Sequence, residues 1–375
     1  MARVYLDYNA STPIDPAVAA AMRPFLEDGF GNPSSGHWAA APAKAALEEA
    51  RGRVAALLGA GSDEIVFTSG GSEANNLALK GVAGALRKKG SHIVISAVEH
   101  PAIVAPCRFL ERQGFQVSVV PVDRFGLLDP DDVRRAIGPR TILISVMHAN
   151  NEVGTVQPIA ELGRIARQHD VLLHTDAAQS VGKIAADVSA LGVDLLTVAG
   201  HKVYAPKGVG ALYVRRGTPI EPLVHGAGHE GGRRAGTESA LLAVGLGKAC
   251  ELARNLGAME GVRALRDRFW QRLQADFGDR VVLNGHPDRR LPNTLNVSFV
   301  GQIGADVLAR LDDVAASTGS ACHAGRVELS PVLRAMGVAP EIGMGAIRFS
   351  LGRGTTEDEV DTVADRLASV LAPAV

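Results

Sequence analysis

The sequence predicts an α/β fold with a mainly parallel sheet and a second, smaller α+β domain. Three observations carry this: short runs rich in β-branched residues, longer amphipathic stretches between them, and near-continuous apolarity within the runs. The last feature marks strands covered on both faces. Taken in order, segments 64–68, 92–96, 116–120, 141–145, 171–175 and 194–198 read as strands. Segments 43–58, 73–88 and 158–169 are long enough to be right-handed crossover helices. After a further strand at 210–214 the alternation gives way to a glycine-rich loop, 225–236, and a helix over about 237–256. Strands at 294–300 and 346–351 and a closing helix at 357–371 then belong to the smaller domain. The expected division is 15–256 for the large domain, with 1–14 and 257–375 forming the small one.

At 375 residues, with 46% hydrophobic and 21% charged residues, the chain is in the globular range, which excludes disordered, collagenous and coiled-coil classes. The formal charge is −1, so nothing draws the whole protein to nucleic acid or a membrane. Its three cysteines, Cys107, Cys250 and Cys322, have no CxxC or zinc-type spacing, which argues against a disulfide framework or a thiolate metal site. The N-terminal segment reaches Asp7 before a signal-peptide core can form, and no stretch approaches the ~18 apolar residues of a membrane span. A reducing cytoplasm is the expected location.

Ligands of open α/β sheets bind at the carboxyl ends of the strands. Thr68-Ser69-Gly70-Gly71-Ser72-Glu73 occupies such a position, between a strand and a helix. Its small residues, the Ser72 hydroxyl and free helix-start N–H groups suit a phosphate; an ordinary turn capped by Ser72 fits equally well. No GxxxxGK[ST] is present. Gly226-Ala227-Gly228-His229-Glu230-Gly231 satisfies GxGxxG, but neither follows a strand directly nor opens a helix, so it does not read as a dinucleotide site. Asp176 ends one strand and Lys202 follows the next. A lysine desolvated at a strand end becomes nucleophilic, and a neighbouring carboxylate can hold a pyridinium nitrogen, the pair that pyridoxal phosphate requires. A salt bridge between adjacent strand ends is the competing reading.

Asp176-Ala177-Ala178-Gln179, Gly200-His201-Lys202, Thr68 to Asn76, Glu99-His100 and His148 to Gly154 occur in the order found in cysteine desulfurases, which the chain resembles from Tyr5-Leu6-Asp7 through Ile347 to Arg353. The resemblance implies a homodimeric pyridoxal-phosphate enzyme of fold type I with a seven-stranded sheet. It would convert L-cysteine to alanine, leave the sulfur as a persulfide on an enzyme cysteine, and pass it to an acceptor protein such as an iron–sulfur scaffold or sulfur carrier. It also implies the roles of the residues. Lys202 would bind the cofactor and carry protons, Asp176 would pair with the ring nitrogen, and Gln179 would donate to the ring hydroxyl. His100 would stack on the ring and assist proton transfer. Asn151 would contact the ring hydroxyl or the substrate. Gly71, Ser72 and His201 would hold the phosphate, with Thr237 reaching it from the other subunit.

Arg348 alternates with Ile347, Phe349 and Leu351, which leaves its guanidinium on the opposite strand face, suited to an α-carboxylate. Asn32 is a weaker candidate substrate contact. Cys322 lies in a run of small and polar residues, 317–325, expected to be a mobile loop, and matches the family's nucleophile; Cys107 and Cys250 read as core residues. Ala199 departs from the family's usual serine in Ser-Gly-His-Lys, removing one phosphate donor. His323 beside Cys322 either lowers the thiol's pKa or is solvent-exposed. An aminotransferase or selenocysteine lyase of the same fold, and a catalytically idle scaffold, are the alternatives.

Overall fold

The computed structural model describes residues 3–318, 322–323 and 326–372. Its main feature is a seven-stranded sheet of β2 (Ile65–Thr68), β3 (His92–Ser96), β4 (Gln116–Val120), β5 (Thr141–Ser145), β6 (Leu172–Asp176), β7 (Leu195–Ala199) and β8 (Gly210–Val214). The order across it is β2-β8-β7-β6-β5-β3-β4. Strands β3 to β7 pair in parallel, whereas β8 lies antiparallel between β2 and β7. The link from Ala199 to Gly210 is too short for the helical crossover that parallel pairing demands.

Side-chain alternation explains the apolar runs. Val94, Ile144, Leu173, Leu196 and Val198 pack on one face with Val54, Leu58, Ile165 and Cys250 from helices Ala41–Leu58, Ile159–Gln168 and Ala240–Ala253. Ile93, Ile95, Ile142, Leu195 and Leu212 pack on the other with Leu77, Ile103 and Cys107. The expectation of burial on both faces fails for β4, which is the sheet edge and is partly exposed, Val119 by 57%. The helix expected over 73–88 is continuous in direction but contains a π-helical turn, Leu77–Gly81, between helical pieces Gly71–Asn76 and Val82–Ala85. A side chain on Gly81 would strike Glu221 O, so close packing of this turn demands glycine.

A second sheet, ordered β12 (Ser317–Thr318), β15 (Ala346–Ser350), β10 (Thr294–Phe299) and β9 (Val281–Asn284), is antiparallel throughout. Helices Ala258–Phe277 and Glu357–Val370 cover it around a separate core containing Phe269, Phe299, Phe349, Ile347 and Leu367. The N-terminal strand β1 (Val4–Tyr5) pairs in parallel with β11 (Val314–Ala315) and buries Leu6 in this core. From there the chain turns toward the carboxyl ends of the large sheet, carrying Asp7 and Asn9 between the two sheets. Cys322 falls in a two-residue strand, β13 (Cys322–His323), paired with β14 (Arg326–Val327). The side chains of Cys322 and His323, and residues 319–321 and 324–325 of the expected loop, lie outside the described residues. Among the described residues, no helix is long and apolar enough to cross a membrane.

Candidate active site

A cavity of about 650 Å³ opens where β2, β6 and β7 end, and it brings together most of the residues singled out above: Gly71, Ser72, His100, Asn151, Asp176, Gln179, His201, Lys202 and Arg348 all line it. Thr237 does not; it lies on a neighbouring depression with Ser69, Gly208 and Arg234. Asn32 is exposed and outside the cavity wall, its Oδ1 accepting from Ser34 N at 2.9 Å.

The anion end is built from backbone. Gly70, at φ 147°, takes a conformation that favours glycine and turns the chain out of β2 into the helix start at Gly71. The first-turn N–H groups of that helix have no intrahelical acceptor and face the cavity mouth with the Ser72 hydroxyl. A Cβ on Gly71 would come within 3.1 Å of Ala199 Cβ, so the floor of the cup is already close-packed. His201 Nδ1 is buried without a partner, and burial together with the charges of Lys202 and Lys207 pushes its pKa down to about 4. The imidazole is therefore neutral at physiological pH.

Asp176 is 6% exposed, with Oδ1 accepting from Ala178 N at 3.0 Å and Oδ2 from Asn75 Nδ2 at 2.7 Å. Lys202 Nζ donates to Asn9 O at 2.6 Å and Ala10 O at 2.8 Å. Burial, reinforced by Arg348 and opposed by Asp7 and Asp176, lowers its pKa to about 8. His100 sits at the start of helix Pro101–Arg112, held extended at ψ 149° ahead of Pro101, and its Nδ1 accepts from Ala102 N at 3.1 Å. That bond directs Nε2 to carry the proton of the neutral ring. Burial lowers the His100 pKa, with Asp176 opposing and Lys202 adding to the effect.

Arg348, 8% exposed, donates from Nη2 to Asp7 Oδ1 at 2.7 Å and from Nη1 to Asn151 O at 3.0 Å, while its buried Nε has no partner. Asp7 Oδ1 also accepts from Ser317 Oγ at 2.9 Å. Ser330 Oγ donates to the buried Glu152 at 2.5 Å. Ser317 and Ser330, on either side of Cys322, are thus each tied to a carboxylate. Cys107 and Cys250 are buried, and desolvation pushes both thiols up to about 12, which leaves them inert at neutral pH.

Sequence reasoning missed Asn9, Asp7, Asn75 and Lys183. Asn75 lies one turn into the helix that starts at Gly71, and Lys183 four residues after Gln179, spacings that could have suggested them; Asn9 and Asp7 offer no local pattern. In the glycine-rich loop, Glu230 is buried by 95% and paired bidentately with Arg51 at 2.7 and 2.9 Å, a structural clamp.

A helix-start anion cup with an unpartnered imidazole nitrogen, a buried carboxylate fixed by two donors, and an amine with lowered pKa match the phosphate, ring nitrogen and aldehyde of pyridoxal phosphate. The chain belongs to the aminotransferase class-V family, which it matches over residues 4–363. Within that class, it is 50% identical over 372 residues to the cysteine desulfurase IscS of Dictyoglomus turgidum, an alignment spanning 98% of this chain and 94% of that protein. A solved NifS-like protein superposes with a TM-score of 0.93 at 37% identity, covering 99% of each chain. SspA, solved in complex with cysteine, gives 0.84 at 39% identity, covering 94% of this chain and all of that one.

Proposed function

We propose that the chain is a pyridoxal-phosphate-dependent cysteine desulfurase whose reaction runs through the residues of this cavity and Cys322. The observation that carries this is the meeting of Asp176, Lys202, the Gly71–Ser72 cup and Arg348 in one cavity, in a chain half identical to a cysteine desulfurase. Gly71, Ser72 and His201 would hold the cofactor phosphate, Asp176 would pair with the ring nitrogen, Gln179 and Asn151 would serve the ring oxygen, and Lys202 would supply the amine that binds the cofactor. When bound, the cofactor supplies an electron sink for negative charge developing on the substrate.

Arg348 binds the cysteine carboxylate, with Nε free and its two other nitrogens already oriented. Lys202 Nζ, close to half deprotonated near pH 8, takes and returns the Cα proton, with His100 Nε2 as second proton carrier. Cys322 attacks the substrate sulfur: an S–S bond forms as the Cβ–S bond breaks, the electron pair stays with carbon and is protonated, and alanine leaves. The balance needs no outside oxidant.

The sulfur passes from Cys322 to an acceptor protein that supplies iron–sulfur assembly or other thio-cofactors. Residues 15–256 form the cofactor domain, and 1–14 with 257–375 the domain carrying the nucleophile. The working unit is a homodimer in the cytoplasm, with Thr237 of each subunit completing the other's phosphate site; the position of Thr237 outside its own cavity supports this. The test is L-cysteine turnover by the purified holoenzyme: alanine and persulfide are expected, both lost in Cys322→Ala with the cofactor still bound. Amino-group exchange with keto acids that persists in Cys322→Ala would point to an aminotransferase instead.

A further inference from the structure

Behind the cavity wall lies a polar cluster that the mechanism above does not use. Lys183, 8% exposed, donates from Nζ to Gln179 Oε1 at 2.8 Å and to Asn9 Oδ1 at 3.0 Å. Asn9 Oδ1 also accepts from Asn293 Nδ2 at 3.0 Å, and Asn9 Nδ2 donates to Thr294 Oγ1 at 2.8 Å. The backbone oxygen of Asn9 accepts from Gln179 Nε2 at 2.9 Å and from Lys202 Nζ at 2.6 Å. Asn9 is therefore the point at which the buried lysine, Gln179 and the cofactor-binding lysine meet.

A carboxamide is nearly symmetric in shape and can sit either way round; its partners decide. The backbone carbonyl of Asn9 can only accept and the lysine amine donates to oxygens, so together they set the Gln179 NH2 group toward Asn9 O and its oxygen toward Lys183. Its NH2 group then faces Asn9 O and the cavity, with one hydrogen spent on that carbonyl and the other left for a ligand. Turning the group over would set NH2 against the lysine donor and oxygen against a carbonyl oxygen. Both partners of Lys183 are carboxamide oxygens, and burial beside Lys202 and Arg348 drives its pKa well below the ordinary lysine value. In either protonation state the amine has at least two N–H bonds, one for each oxygen.

We propose that Lys183 is a positioning residue for the cofactor site: it fixes the orientation of the Gln179 carboxamide so that its NH2 group is presented to the ring oxygen of pyridoxal phosphate. The inference rests on the reading that Gln179 donates to that oxygen. Its sequence basis is the i, i+4 spacing of Gln179 and Lys183, which places the two side chains on the same side of the turn region after β6.

The test is a double-mutant cycle on cofactor binding, read as the Kd for pyridoxal phosphate added to apoenzyme and as the absorption maximum of the bound cofactor. Lys183→Met, close in shape but without donors, and Gln179→Ala are each expected to weaken binding about tenfold or more and to shift the band. The double variant should bind no more weakly than Gln179→Ala, because Lys183 acts through Gln179. Parent-like binding and band in Lys183→Met beside a weakened Gln179→Ala would overturn the inference alone, as would losses that multiply in the double variant. Parent-like behaviour of Gln179→Ala would instead remove the reading of Gln179 and the inference with it. Melting of each apoenzyme reports folding. If Lys183→Met does not fold, Lys183→Gln, which keeps a donor but ends short of Gln179, enters the same cycle; a smaller coupling of the same kind is expected, and additivity overturns the proposal equally.

Discussion

Replacing Ala199 by serine should tighten cofactor binding. Ala199 ends β7, is 4% exposed, and its methyl group lies beneath the helix start at Gly71 proposed to hold the phosphate, since a Cβ on Gly71 would sit 3.1 Å away. A hydroxyl on that methyl carbon reaches further into the cup and adds one donor to a site otherwise supplied by helix-start N–H groups, Ser72 and His201. A hydrogen bond to a charged group contributes about 1.5–3 kcal/mol. That corresponds to about 10- to 150-fold in Kd. Ala199 lines the cavity, so without cofactor the added hydroxyl is expected to change apoenzyme stability by less than about 0.5 kcal/mol. At a fixed excess of pyridoxal phosphate, a tenfold gain in affinity adds about 1.4 kcal/mol to the holoenzyme and raises its melting temperature alone. Titrating both apoenzymes with pyridoxal phosphate, and melting each with and without it, measures all of these quantities. Equal Kd values for parent and Ala199→Ser would refute the reasoning, because they would mean that the carbon beneath Gly71 does not face the phosphate.

The Lys202 amine, with its pKa lowered to about 8, should capture cofactor at a rate that rises with pH through a midpoint near 8 and then levels off; stopped-flow mixing of apoenzyme with pyridoxal phosphate from pH 6 to 10 checks this, and a rise centred near 10.5 would contradict it. Glu99 is buried, accepts from Ser96 Oγ and Met147 N through Oε1, has no partner at Oε2, and is pushed up to about 8 by desolvation. Folding therefore takes up a proton above pH 4.5, and this group's contribution to stability falls as pH rises toward 8. Glu99→Gln removes that slope, so denaturant melts should show it gaining on the parent more at pH 8 than at pH 5. Arg348→Lys should raise KM for cysteine by about tenfold or more with cofactor affinity unchanged, because an ammonium cannot reproduce the bidentate fork already oriented by Asp7 and Asn151.

Much of the fold was legible because its signals are local. The runs at 92–96, 141–145 and 194–198 are apolar on both sides of each strand, and the structure covers both faces of β3, β5 and β7. The direction of β8 was less legible, since its composition resembles its neighbours'; only the short link after β7 shows that it must turn back. The exposure of β4 was hidden for a related reason. Val117, Val119 and Val120 read as core residues, and nothing within the segment states that no strand follows it in the sheet.

The site divides along the same line. Asp176, Lys202 and the Gly71–Ser72 cup each adjoin a strand end, where chain geometry itself delivers side chains to the cavity. Asn9, Lys183 and Asp7 reach it by tertiary routes. Asn9 meets Lys183 across 174 residues and Thr294 across 285, and Asp7 meets Arg348 across 341. Their polarity in otherwise apolar surroundings becomes informative only once burial is known, because a buried donor or acceptor must find a partner. Buried in one cluster, they are too interdependent to be interchangeable: Asn9 satisfies Lys183, Asn293 and Thr294 through its side chain while its backbone oxygen holds Gln179 and Lys202. The N-terminal segment, which by sequence is a remote appendage of the small domain, is thereby the part of the chain that connects Arg348, Lys202 and the strand leading to Cys322.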